Sequence, residues 1–295
     1  MSRTIIESEA MRVSLVPDYG ARVTGLLDKH SGREWLQQGS ASDNNGERAQ
    51  YLGDEAIGWD ECFPTVSPCD ANSTAWRRRL RDHGDLWGRR WFVDEATSTS
   101  VTTCYIDPAY RFTRTLSVSG SVLTARYSLL NRSDETLPYL WALHGLLLAT
   151  DADRIVVPGI DRVTATYLGL NGKSLESNSQ PWPKGDGVLP FALDEVQKPS
   201  RNFAGKLYAH GAKRCALGHV GAWLEIAWDG IDDLGLWYNY GAWPSAPGGY
   251  HVALEPTTAS ADDLNAALAA GTAAQLLPGT TNTWTVTLTF REDLK

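Results

Sequence analysis

Thr283-Trp284-Thr285-Val286-Thr287-Leu288-Thr289-Phe290 sets a threonine at every other position and a large apolar residue between each pair. Successive side chains of an extended chain point to opposite faces, so this stretch has one apolar and one polar face and reads as a half-buried β-strand. The same period recurs throughout the chain. Residues 12–17 alternate and stop at Asp18, Tyr19 and Gly20; residues 21–28 follow and close at Ser31 and Gly32. Residues 98–106, 110–117 and 122–131 read as a meander, and residues 222–228, 234–240 and 251–255 continue the pattern. Val, Thr, Tyr and Leu dominate these runs, and Pro, Gly or Asn punctuate them.

The 295 residues are 42% hydrophobic, enough for a packed core, and 12 Trp, 11 Tyr and 6 Phe outnumber 2 Met. With 27 Gly and 14 Pro, this composition favours short strands joined by turns. One segment reads as a helix: Ser260, Asp262 and Asp263 supply a cap and early acids, residues 265–270 supply Ala and Leu, and Gly271 ends it. Residues 170–199, rich in Pro, Gly and Ser, read as a long irregular loop of the kind that often serves binding. No repeat or composition break divides the chain. The expectation is an all-β, antiparallel fold in one domain over residues 1–295.

A net charge of −8 gives no basic field for nucleic acid or anionic lipid. The densest basic stretch, Arg77, Arg78, Arg79 and Arg81 with Arg89 and Arg90 beyond, reads mainly as a solvated segment with local acidic partners. Cys62, Cys69, Cys104 and Cys215 form no CxxC pair and have no zinc-type spacing with His. Met1 to Ala10 carries two acids and no apolar segment, unlike a secretory signal, and no run approaches a membrane span of about 18 apolar residues. A cytoplasmic protein with free thiols, and with neither nucleic acid nor membrane as partner, is expected.

Four clusters hold the chemistry. In Gly58-Trp59-Asp60-Glu61-Cys62-Phe63-Pro64-Thr65, two adjacent carboxylates lie between bulky apolar groups, and on a strand only one of them faces a given pocket. Asp82-His83-Gly84-Asp85-Leu86-Trp87-Gly88-Arg89-Arg90-Trp91 combines turn glycines with His, Asp, Trp and Arg, a set suited to hydroxyl groups and the C–H face of a sugar. His144 is alone in the apolar run Leu140–Leu148, where a structural His is the simpler reading unless a carboxylate lies close by. His251-Val252-Ala253-Leu254-Glu255-Pro256 puts His251, Ala253 and Glu255 on one strand face, and an inward Glu needs partners or a function. There is no GxSxG, HExxH, P-loop or GxGxxG unit. Acid–base chemistry without metal or nucleotide is the leading enzymatic option.

These clusters, with Gly20-Ala21-Arg22-Val23-Thr24-Gly25-Leu26-Leu27-Asp28 and the Leu234 to Trp243 run LGLWYNYGAW, resemble in order and spacing the aldose 1-epimerase family. The resemblance spans residues 15–290. It implies a β-supersandwich of galactose mutarotase type, interconversion of the α and β anomers of a free aldose, and no cofactor. It assigns His144 as general acid on the ring oxygen, Glu255 as general base on the anomeric hydroxyl, and His83 as a holder of substrate. Asp60, Glu61, Trp87, Arg78, Arg89 and Tyr238 complete the expected sugar-binding set, with no metal ligand among them.

Two features depart from the family pattern. The family's additional substrate-binding Asp, between the acid His and the base Glu, has no match here; Asp186 and Asp194 lie in that interval without its motif. The arginines of relatives acting on hexose 6-phosphates are replaced near the site by Asp60, Glu61 and Asp85, an acidic lining that repels phosphate and favours a neutral sugar, unless Arg78 or Arg89 enters the pocket. The alternatives are a non-catalytic sugar-binding module, or another sugar reaction (isomerase, lyase or hydrolase) on the same scaffold. Specificity is expected from the loops at residues 38–60, 76–91 and 170–202.

Overall fold

Thr281–Arg291 is an inner strand, paired antiparallel with Val122–Asn131 on one side and Ala222–Asp229 on the other. Trp284, Val286, Leu288 and Phe290 are buried, and the threonines between them are exposed or half-buried. The structure, a computed structural model, describes residues 3–39, 46, 50, 51, 53–176 and 179–294. Part of the expected 38–60 specificity loop (residues 40–45, 47–49 and 52) lies outside the described residues, as do residues 177 and 178 of the 170–202 loop.

The strands form two large antiparallel sheets. The eight-stranded sheet runs in the order Arg154–Val156, Arg214–His219, Ala222–Asp229, Thr281–Arg291, Val122–Asn131, Tyr110–Ser119, Ser100–Ile106, Phe92–Ala96. The eleven-stranded sheet begins with Thr4–Glu7, Met11–Val16, Arg22–Asp28 and Trp59–Cys62. It continues through Ala142–Leu147, Tyr250–Thr257, Asp233–Tyr240, Phe203–His210 and Arg162–Leu170, with two short strands at its far edge. One apolar cluster joins the sheets: Trp284, Leu288, Phe112 and Leu116 from the smaller meet Trp59, Leu143, Val252 and Leu254 from the larger. The period of two thus leaves the opposite face of the larger sheet for His251, Ala253 and Glu255.

The expected helix forms as Leu264–Ala269. Asp263 caps it by accepting from the Ala266 N–H at 2.9 Å. Asp262, expected to serve the same end, instead accepts a hydrogen bond from the Tyr208 hydroxyl at 2.7 Å. Residues 170–199 are largely turns, as expected, with short strands at Lys173–Ser174 and Ser179–Pro181. All four cysteines are buried free thiols. Among the described residues no helix is long and apolar enough to cross a membrane.

A buried carboxylate fixes one corner of this frame. Asp153 accepts from the Arg33 guanidinium at 2.7 and 3.1 Å, from the Thr150 N–H at 2.8 Å, and pairs with His219 at 2.6 Å. Burial opposes its ionisation, yet Arg33 and His219 hold its pKa below the ordinary aspartate value. A lowered folded-state pKa contributes stability above the unfolded value, and that stability is lost as pH falls through the folded one. Asp153→Asn is therefore expected to cost about 1–3 kcal/mol at neutral pH and progressively less in acid, measured by urea unfolding at several pH values.

Candidate active site

A row of ionisable groups crosses five neighbouring strands of the larger sheet, four of which contribute a member. His144 stands directly opposite Asp60 on the adjacent strand. The pairs Ala142–Thr257 and Leu146–Ala253 bracket His144 and place it opposite Glu255 on its other side. Glu255 faces Gly235, and one strand further Lys206 reaches back over that glycine to form an ion pair with Glu255. A Cβ at position 235 would lie 3.1 Å from both Glu255 Oε2 and Lys206 Nζ, so glycine there makes room for the pair.

The row is buried and charged, and each member has a partner. Arg22, fully buried, pairs with Asp60 at 2.5 Å and donates to the carbonyls of Glu55 and Ile57. Asp60 in turn lies 2.9 Å from His144 Nδ1. Burial works against an Asp60 anion, but Arg22 and then His144 outweigh it and hold its carboxyl below the usual range. An ionised carboxylate only accepts, so Nδ1 of His144 carries hydrogen and Nε2 is left to exchange protons. Glu255 follows the same logic: burial raises its pKa, and Lys206, then His144, bring it below the usual value.

Loops roof this floor. Gly84 adopts φ +72°, and a Cβ there would strike the Phe63 carbonyl oxygen at 2.0 Å. Only glycine lets the His83 turn dock against the end of the Asp60 strand, where the His83 N–H reaches the Val66 carbonyl at 2.6 Å. His83 Nδ1 lies 3.0 Å from Asp82, and its ring is 4.7 Å from that of His144. Burial pushes the His83 pKa down against the pull of Asp82, which keeps the ring neutral with an accepting Nε2. Tyr51 stacks on His83 with centroids 3.6 Å apart, and its hydroxyl donates to the Glu55 carbonyl at 3.2 Å.

The result is a cavity of about 480 Å³ with His83, His144, Lys206 and Glu255 around it. Trp237 and Trp243 supply aromatic wall at edge-on geometry, centroids 6.1 Å apart, and Asp82, His251 and Asp262 add polar groups. The Trp237 indole N–H donates to His251 Nε2 at 3.3 Å, and burial followed by His144 brings the His251 pKa to about 4. Its Nδ1 has no partner among the described residues.

The expected residues divide sharply. His83, His144 and Glu255 line the cavity together. Asp60 lies behind His144 and acts on it rather than on the cavity. Glu61 faces the other way, into the core between the sheets, where Arg114, Trp59, Tyr127 and Trp141 all donate to it. Its place in a sugar-binding set is corrected to a structural one. Trp87 is buried beside the cavity, its indole donating to the Asp82 carbonyl at 2.8 Å and its ring edge-on to Tyr51. Arg78 is bound to Asp85, and neither it nor Arg89 lines the cavity. Tyr238 points into the core and donates to the Leu193 carbonyl at 3.0 Å; its neighbour Trp237 takes the cavity face. Asp82, His251 and Trp243 join the site from within the clusters and runs quoted above, whereas Tyr51, Lys206 and Asp262 were not expected there. Of these three, Lys206 left a clear trace, a lone cation in the apolar run Phe203–His210.

No protein-family model and no curated protein matches this sequence. Solved structures do match, and they match over the whole length. The galactose mutarotase-like protein from Lactobacillus casei superposes with a TM-score of 0.70 at 13% identity, covering 98% of this chain and 100% of that one. The fold is galactose mutarotase-like. A galactose mutarotase related enzyme from Lactobacillus acidophilus gives 0.69 at 16% identity over 98% and 97% of the two chains. A galactose mutarotase-like protein from Clostridium acetobutylicum gives 0.68 at 14% over 98% and 95%. The expected all-β, antiparallel supersandwich is therefore the architecture of this protein.

Proposed function

We infer that the chain is an aldose 1-epimerase that exchanges the anomers of a free, unphosphorylated sugar. The observation that carries this reading is the placement of His144 opposite Glu255 at one cavity, each with a charged partner behind it. A sugar ring set between them presents its ring oxygen to one and its anomeric hydroxyl to the other. His144 donates the Nε2 proton to the ring oxygen while Glu255 takes the proton of the hydroxyl on C1. The bond between C1 and the ring oxygen breaks, and C1 becomes an aldehyde. Rotation about C1–C2 and return of both protons close the ring as the other anomer. Protons balance over the cycle, and the two groups serve the reverse reaction equally well.

The surroundings fit that chemistry. The neutral His83, with Nε2 accepting, takes a hydrogen bond from a sugar hydroxyl. Trp237 and Trp243 offer faces to the C–H side of the ring. Asp82, Asp262 and Glu255 outnumber Lys206, which is bound to Glu255, so a phosphorylated sugar is disfavoured. Polarimetry and NMR exchange over glucose, galactose, xylose, arabinose, rhamnose and fucose test the reading, with product mass unchanged. Anomer exchange at the uncatalysed rate for every sugar overturns it; a product of altered mass points to cleavage or elimination instead.

Lys206 sets the working range of the base. Without its charge, Glu255 keeps the burial that raises its pKa and loses the largest influence lowering it. A base must be deprotonated to act, so activity falls as pH drops through its pKa. Lys206→Met is expected to move the acid limb of the kcat/KM profile to higher pH; an unmoved limb removes Lys206 from this role.

A further inference from the structure

Cys62 shares its strand face with Asp60 and is fully buried at the floor of the site. Its Sγ and one ring nitrogen from each of His83 and His144 all lie within 4.8 Å of one another. We propose that these three side chains form a binding site for a zinc-class divalent metal ion, whose fourth position opens to the cavity. Tetrahedral zinc, with bonds of about 2.3 Å to sulfur and about 2.0–2.1 Å to nitrogen, sets ligand atoms roughly 3.4–3.6 Å apart. Closing from 4.8 Å requires side-chain movement of about 1 Å, by two His that line the cavity and a Cys buried beneath them.

The outer contacts are those a metal site needs. Metal-binding histidines commonly present their second ring nitrogen to a carboxylate, which fixes the tautomer and orients the ring. Here both do: Asp60 sits on Nδ1 of His144 at 2.9 Å and Asp82 on Nδ1 of His83 at 3.0 Å. Nε2 of each ring is therefore the nitrogen left for a metal. The thiol of Cys62 loses its proton to solvent as the sulfur binds, and the ion carries the resulting thiolate charge. Soft sulfur with two imidazoles selects zinc or cobalt over magnesium or calcium, which favour oxygen.

Occupancy switches the proposed reaction off. A metal on Nε2 of His144 takes the lone pair that would carry the transferred proton, so binding and anomer exchange exclude each other. This second half rests on the epimerase reading; the metal site itself does not. Titration of the full-length protein with Co²⁺ reads the site directly, through the thiolate-to-cobalt charge-transfer band and the visible bands of tetrahedral cobalt. One equivalent is expected to develop both. Cys62→Ala is expected to remove the charge-transfer band while retaining metal-free anomer exchange, and Asp82→Asn to weaken Co²⁺ affinity by about 10–100-fold with the band intact.

Zinc is expected to abolish exchange by the native protein, reversibly with chelator, and to leave Cys62→Ala active. No charge-transfer band, or a band that survives in a folded Cys62→Ala protein, overturns the site. If Cys62→Ala does not fold, Cys62→Ser at nearly native volume gives the same reading through loss of the band. A native protein that develops the band yet shows no metal-free exchange keeps the site and refutes the epimerase reading. Undiminished exchange with the band fully developed refutes the switch.

Discussion

Glu255→Gln is expected to lower kcat and kcat/KM for anomer exchange by about 10²–10⁴. The amide keeps the shape of the side chain but cannot accept the proton of the anomeric hydroxyl. A loss in both parameters is the signature of an interaction made in the transition state; a loss confined to KM would mean that Glu255 only binds. One side effect has to be separated. Lys206 loses its ion-pair partner and stays buried, which destabilises the fold. Glu255→Gln with Lys206→Met removes both charges together. It is expected to recover much of the stability and none of the activity, as followed by urea unfolding and polarimetry on the same samples.

Arg114→Leu is expected to produce the largest loss of stability, about 3–5 kcal/mol near pH 8. Arg114 comes from Tyr110–Ser119 in the smaller sheet and Glu61 from Trp59–Cys62 in the larger, so their 2.7 Å contact ties the two sheets together. Both side chains are fully buried. The guanidinium also donates to the Ala21 carbonyl, and it lies 5.4 Å from the centre of the Trp59 ring and 5.5 Å from that of Trp91. Burial pushes the Glu61 carboxyl up to about 7 against the pull of Arg114, and losing that cation pushes it further. A folded-state pKa raised above the unfolded one makes stability fall as pH rises between the two values. The penalty in Arg114→Leu is therefore expected to grow from mildly acid to alkaline pH. Adding Glu61→Gln is expected to flatten that dependence; a penalty independent of pH would mean that packing, not the orphaned carboxylate, sets the cost.

The sheets were legible because half-buried strands repeat with a period of two. Residues 122–131 and 283–290 announce their faces, and the buried side chains of Thr281–Arg291 fall where that period puts them. Phe203–His210 escaped the same reading because it is buried on both faces, which erases the alternation, and Lys206 went with it. Tyr238 and Trp237 show how sharply a period of two discriminates: one position along the strand exchanges the core for the cavity. Asp60 and Glu61 obey the same rule, and alternation alone already required that one of them turn away from any pocket.

Long-range placement was the part local patterns do not carry. Nothing near Arg22 in sequence reveals that it backs Asp60, 38 positions on, or that Asp262 leaves the helix cap to join the cavity. Those positions follow from strand order and loop paths. The three residues that resemblance assigned to substrate and chemistry, His83, His144 and Glu255, do converge on one cavity. Their company there, a lysine on the base and a thiol beneath the histidines, was not part of the expected set.

The decisive measurement is a structure of the protein with a free aldose bound. The sugar is expected in the cavity with its ring oxygen at hydrogen-bond distance from Nε2 of His144 and its anomeric hydroxyl at the same distance from the Glu255 carboxylate. A sugar held elsewhere, or held in the cavity with C1 remote from both side chains, contradicts the epimerase reading.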